Sequence, residues 1–247
     1  MPRYKLTIEY DGTGLVGWQR QASGLSVQEV LETAVERFRG TAVRVHGAGR
    51  TDSGVHALAQ VAHLDLPRAA EPDEIRGALN HHVRPHAVSV LAVEEAPDTF
   101  NARSSARGRH YRYRILNRRA PPALDRNRVW HVGPTLDVAA MQEGARHLLG
   151  KHDFTTFRDA LCQAKSPVKT LDVLDVARIG EEVVVEARAR SFLHHQVRNI
   201  VGTLKLVGLG KWSPLHVQRA LEARDRRAGG PTAPAQGLCL VEVIYPT

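Results

Sequence analysis

Two short runs alternate like half-buried strands: Thr41-Ala42-Val43-Arg44-Val45-His46 and Leu58-Ala59-Gln60-Val61-Ala62-His63-Leu64. Alternation at period two marks a strand with one face inward. Between them lies Gly47-Ala48-Gly49-Arg50-Thr51-Asp52-Ser53-Gly54-Val55-His56-Ala57, a stretch with three glycines. Glycine lets a backbone bend sharply and lets a ligand approach it closely. The chain is therefore constrained to a sheet in which two strands are joined by a bend. The bend carries a carboxylate, Asp52, two residues after the cation Arg50, and such a loop reads as a site more than as a connector.

The neighbouring pattern extends this to an α+β fold. Tyr4, Leu6, Ile8 and Tyr10 fall on one face of a first strand, and Asp11-Gly12-Thr13-Gly14 turns the chain. Ser26 with Glu29 is a capping box, Val27, Val30, Leu31, Ala34, Val35 and Phe38 form an apolar helical stripe, and Gly40 ends it. A second helix opens at Pro72-Asp73-Glu74 and runs to about His81, and a strand follows near residues 87–93. Strand, helix, strand, strand, helix, strand is the ferredoxin-like order. Pro121-Pro122 is a strong break. Beyond it the spacing predicts a strand over 128–132, a helix from the cap Asp137 to Leu149, strands over 168–179 and 181–190, helices over about 194–209 and after Ser213-Pro214, and a last strand over 238–245. Two α+β halves are expected, residues 1–108 and 109–247.

Charge points to the partner. Lys and Arg number 34 against 26 Asp and Glu, a net charge of +8, which favours a polyanion. Arg dominates; its fork binds phosphate bidentately and stacks on bases, although a GC-rich coding bias gives the same composition. Residues 103–128 hold nine Arg with only Asp125 opposing, and Tyr111, Tyr113 and Ile115 alternate there with Arg112 and Arg114. Aromatics on one face and guanidiniums on the other suit nucleic-acid binding; core packing with a solvated charged face is the other reading. Cys162 and Cys239 have no zinc spacing, and no long apolar run is present, so a reducing, cytoplasmic setting with no membrane is expected. The 13 histidines include His81-His82 and His194-His195 but no metal-binding motif, and no metal is expected.

The look-alikes of the glycine loop fail one by one. It is not G-x-G-x-x-G and lacks the Gly-Lys-Ser/Thr of a phosphate loop. Asp52-Ser53-Gly54 is the aspartic-protease tripeptide, but it occurs once, and Arg50 favours an ionised carboxylate over a shared proton. Ser53 lacks the G-x-S-x-G elbow. A lone ionised Asp suits nucleophilic or general-base work on a substrate that supplies its own electrophile. Arg198, on the helix with His194, Gly202 and Lys205 along one flank, reads from spacing alone as a surface charge.

Gly49-Arg50-Thr51-Asp52-Ser53-Gly54-Val55-His56-Ala57 resembles the catalytic loop of the TruA-type tRNA pseudouridine synthases. The resemblance continues at Tyr10-Asp11-Gly12, Gly17-Trp18-Gln19-Arg20-Gln21, Phe100-Asn101-Ala102-Arg103, Tyr111-Arg112-Tyr113, Asp153-Phe154-Thr155 and Phe192-Leu193-His194-His195-Gln196-Val197-Arg198-Asn199-Ile200-Val201-Gly202. It implies an isomerase (an intramolecular transferase) that converts uridine to pseudouridine at positions 38, 39 and 40 of the tRNA anticodon stem-loop. It further implies a homodimer, no cofactor, and two ferredoxin-like (RRM-like) halves whose antiparallel sheets, flanked by helices, join beneath a basic central cleft. By position, Asp52 matches the nucleophile and Tyr111 the tyrosine that stacks on the target base. Arg198 matches the arginine that pairs with the Asp, and Arg50 the loop arginine that binds RNA. The competing class is a non-catalytic RNA-binding protein or RNA chaperone; a carboxylate where phosphates must pass argues against it.

Overall fold

The computed structural model describes residues 1–246. Its elements run β1 (Arg3–Tyr10), α1 (Val27–Arg39), β2 (His46–Gly47), β3 (His56–Asp65), α2 (Pro72–His82) and β4 (Val88–Ala96). They continue with β5 (Gly108–Leu116), β6 (Trp130–His131), α3 (Val138–Arg146), β7 (Gly150–Asp153), β8 (Val168–Ile179), β9 (Glu182–Ala189), α4 (Gln196–Gly208), α5 (Pro214–Ala223) and β10 (Leu238–Ile244). The chain forms two compact units, Met1–Arg107 with the segment from Cys239 onward, and Gly108–Leu238.

In the first unit β4, β1 and β3 pair antiparallel in that order, and β2 pairs antiparallel with β3. That is the ferredoxin-like strand arrangement. β10 joins β3 in parallel, Cys239 opposite His56 and Leu240 opposite Ala57. Tyr4, Leu6, Ile8 and Tyr10 are all buried, as their alternation requires. The α1 stripe is buried, the Ser26 hydroxyl accepts from the Glu29 amide, and Gly40 closes the helix at φ +68°. The expected strand over 41–46 is absent except for the two-residue β2. Glu32 on α1 instead accepts from the Val45 amide, and Gln28 donates to the Val45 carbonyl, so the helix satisfies this backbone in place of a sheet.

In the second unit β5, β9, β8 and β7 form an antiparallel sheet, with β6 beside β5. β5, α3, β8, β9 and α4 repeat the strand, helix, strand, strand, helix order. Tyr113, Ile115, Leu174, Val183, Val185 and Ala187 supply the buried face, and α3 packs on β8 and α4. Two expectations shorten here. The strand over 128–132 is only β6, and α3 stops at Arg146, where the His147 amide already turns to the Gly144 and Ala145 carbonyls. β7 has no alternation long enough to be read from sequence.

Candidate active site

Asp52 sits in a loop held almost entirely through its backbone. The Trp18 amide donates to the Thr51 carbonyl at 3.0 Å, and the Val55 amide donates to the Asp52 carbonyl at 3.1 Å. Ser53 Oγ and the Gly54 amide both reach the Leu15 carbonyl. Gly54 has φ +76°, a conformation that costs other residues. Residues 12–18 therefore form a backing strip for the loop. The strip is itself anchored to the start of α1: the Val27 amide donates to the Gly17 carbonyl and the Gln28 amide to the Trp18 carbonyl.

Close approach explains the glycines. A Cβ on Gly17, already at φ +101°, would lie 2.5 Å from the Thr51 carbonyl oxygen. A Cβ on Gly12 would strike the Val55 carbonyl, and one on Gly47 would strike the Trp18 indole. From the sheet side, Tyr10 Oη lies 2.8 Å from Thr51 Oγ1, and Gln60 donates to the Gly49 carbonyl. Burial pushes the Tyr10 phenol up, against the opposing pull of Thr51 and Gln60, so it stays protonated as a strut. Thr51 and Val55 are buried while Asp52 between them is half-buried and Arg50 is exposed. The result is a carboxylate on a fixed backbone with partial access to solvent. Tyr10, Gln60 and the backing role of residues 12–18 escaped the sequence reading; the paired glycines Gly12 and Gly17 were the available signal.

Tyr111 and Arg198 belong to the second unit. Tyr111 lies on β5, 9% exposed, with its ring edge-on to Phe192 at 5.2 Å. On the same face Arg109 is buried and donates to the Arg190 carbonyl. Arg198 is half-buried in the first turn of α4, so spacing alone misread it as a surface charge. Its Nε donates to the Ala233 carbonyl at 2.8 Å, and the Ala233 amide donates back to the Arg198 carbonyl. The segment 226–233 thus lies along α4 as a strap. Gly202 makes room, since a Cβ there would strike the Pro231 carbonyl. Asn199 ties the strap down, accepting from Thr232 Oγ1 and Arg226 and donating to the Phe157 carbonyl. Thr203 Oγ1 accepts from the Gly230 amide. Ahead of α4, His195 takes a left-handed conformation (φ +61°) and its Nδ1 is 2.8 Å from Asp159.

The other face of β5 is not an open guanidinium surface. Arg112 pairs with Glu186, and Arg114 makes two bonds to Glu182 at 2.8 and 2.6 Å. Arg118 pairs with Glu181. The sequence shows one acid among nine arginines; the sheet brings the rest of the carboxylates from β9.

Among the described residues no helix is long and apolar enough to cross a membrane. The family model for tRNA pseudouridine synthase matches residues 6–103 and 145–246. A protein of Paramagnetospirillum magneticum called tRNA pseudouridine synthase A is 63% identical, over 99% of this chain and 96% of that one. Proteins with the same name from Rhodospirillum centenum and Parvibaculum lavamentivorans are 62% and 57% identical, over 99% of this chain and 100% of theirs. Among solved structures, a chain titled as part of a Cbf5-Nop10-Gar1 complex has a TM-score of 0.38 at 13% identity, covering 96% of this chain and 48% of that one. A likeness that loose adds nothing to the assignment.

Proposed function

The chain belongs to the tRNA pseudouridine synthase family, and from that premise we propose that it isomerises uridine to pseudouridine in tRNA, at positions 38, 39 and 40 of the anticodon stem-loop. The observation that carries the reading is Asp52 itself, a half-buried carboxylate whose backbone is pinned on both sides by the strip 12–18. A binder that only tracks phosphates has no use for such a group.

The chemistry follows from the substrate. A base inside a stem is shielded, so the nucleotide leaves the stack, at about a few kcal/mol. Stacking on Tyr111 and phosphate contacts from Arg50 offset that cost, since one base–aromatic stack contributes about 1–3 kcal/mol. Arg198, anchored by the strap on α4, engages the substrate beside the flipped nucleotide. Asp52 is the nucleophile: the N-glycosidic bond breaks, the uracil turns, a C–C bond forms at C5, and the C5 proton leaves. Attack at C6, attack at C1′ and elimination to a glycal all meet this balance. No atom changes net oxidation state, so the reaction needs no redox cofactor. The enzyme works in the cytoplasm as a homodimer.

The test is conversion of unmodified tRNA, and of stem-loops carrying uridine at one of positions 38, 39 and 40, by the purified chain. Pseudouridine at these positions is the expected outcome. Tight tRNA binding without conversion would leave a binding protein instead.

A further inference from the structure

The second unit's sheet has a face that no helix covers, and it is not merely a solvated surface. Leu116, Val129 and Val184 floor a groove of about 780 Å3 on it. The stiff segment Pro121-Pro122 leads along its edge to Leu124, which is 98% exposed, and Ile179 across the groove is 65% exposed. Scattered exposed apolar residues need no explanation, but a fully exposed leucine held beside an apolar recess does. Solvation alone gives no reason to place both there.

Charge selects the occupant. Arg112, Arg114 and Arg118 in the lining are matched by Asp125, Glu181 and Glu182, and the arginines are already paired along the sheet. The patch is electrically balanced on a chain of net charge +8. It therefore does not recruit a polyanion such as RNA, and it does not repel its own copy, as most of this chain's surface would. It also carries a projection and a recess side by side. A two-fold contact demands that one patch be complementary to itself, which a knob beside a hole supplies.

We propose that this face of the second unit, with Leu124 and Ile179 as its anchors, is the surface on which a second copy of the chain docks. Leu124 of each copy enters the groove of the other, and the Arg–Glu pairs form the polar rim. This rests on the homodimer reading above and assigns it to residues.

Sedimentation equilibrium over a dilution series tests it, with uridine conversion and tRNA affinity measured in parallel. The wild type is expected to be dimeric. Leu124→Glu and Ile179→Glu are each expected to raise the dimer dissociation constant by about thirtyfold or more, as loss of an interface anchor does. Neither should shift the thermal midpoint of the monomer fold, since both side chains are exposed. Leu91→Glu, on the first unit's β4 and 44% exposed, should leave the dimer intact. A monomeric wild type that still converts uridine overturns the dimer and this surface but not the proposed reaction. A dimeric wild type whose two variants also stay dimeric overturns the surface alone. Variants that stay dimeric but lose tRNA affinity show the face to be RNA-contacting, which also overturns the proposal. Should Leu124→Glu fail to fold, Ile179→Glu decides.

Discussion

The loop that carries Asp52 and the helix that carries Arg198 are both rigid, but they are braced by opposite means. The loop is fixed by main-chain bonds to residues 12–18 and by glycines that let two backbones touch. α4 is fixed by side chains: Asn199 and Thr203 hold a strap that arrives from residues 226–233. Main-chain bracing tolerates change in side-chain chemistry but not the addition of a Cβ. Side-chain bracing is sensitive to single polar substitutions. The loop's bracing is also local to the first unit's sheet edge, whereas the strap must close a long stretch of chain before it acts on Arg198.

The largest effect separates placement from chemistry. Asp52→Asn should leave the loop and the melting temperature unchanged, because the braces there are main-chain. Turnover, read as release of label from C5-tritiated uridine, should fall by about three powers of ten or more, the scale of losing a nucleophile. Residual turnover above a few per cent would take Asp52 out of that role. Next come two glycines, one for each brace. Gly17→Ala and Gly202→Ala each drive a methyl into a carbonyl oxygen, and each should cost about 1–3 kcal/mol in chemical denaturation. Gly202→Ala should also lower turnover at full tRNA occupancy, because lifting Pro231 and Ala233 removes the acceptor that orients Arg198. A Gly202→Ala enzyme with reduced stability but normal turnover would show the strap to be structural only.

A smaller effect tests the entry to α4. Burial pushes the Asp159 carboxyl up, yet hydrogen bonds from the Leu161 amide and His195, with the nearby His194, more than reverse this and hold it below its ordinary value. A carboxylate whose folded pKa is depressed adds stability above its unfolded pKa, near 4, and that stability is lost as pH falls through the folded value. The wild type should therefore lose stability on acidification below about pH 4 more steeply than Asp159→Asn does, by about 1 kcal/mol for one such carboxylate. Parallel urea midpoints from pH 6 to pH 3 read the difference; identical slopes would mean Asp159 does not brace the turn at His195.

What the sequence disclosed follows the same division. The Asp52 loop was legible because its bracing needs glycine, and glycine is visible in a sequence. The β1 and α1 cores were legible because alternation and the helical stripe report burial directly. The strap was not, since Thr232 and Asn199 are ordinary polar residues until the fold brings them together. The 41–46 run shows the limit of periodicity: its alternation is real, but Gln28 and Glu32 claim the Val45 backbone before a strand partner can. Arg198 needed the family resemblance, because half-burial at a helix start leaves no mark in spacing.

The smallest effect expected concerns the two faces of β5, where composition misleads most. Nine arginines over residues 103–128 suggest one basic surface, and an RNA footprint there would lose about 0.7–0.9 from its log–log salt slope for each phosphate contact removed. Arg112 and Arg114 are bonded to Glu186 and Glu182, whose carboxylates would repel a phosphate brought near. Neutralising both, as Arg112→Gln with Arg114→Gln, should leave the salt slope of tRNA binding unchanged. Arg103 and Arg107, exposed in the segment before β5, are the contrast: the same change there should flatten the slope. If the slope responds to Arg112 and Arg114 instead, the acidic partners yield to RNA, and the balanced face of the second unit belongs to the substrate and not to a second protein chain.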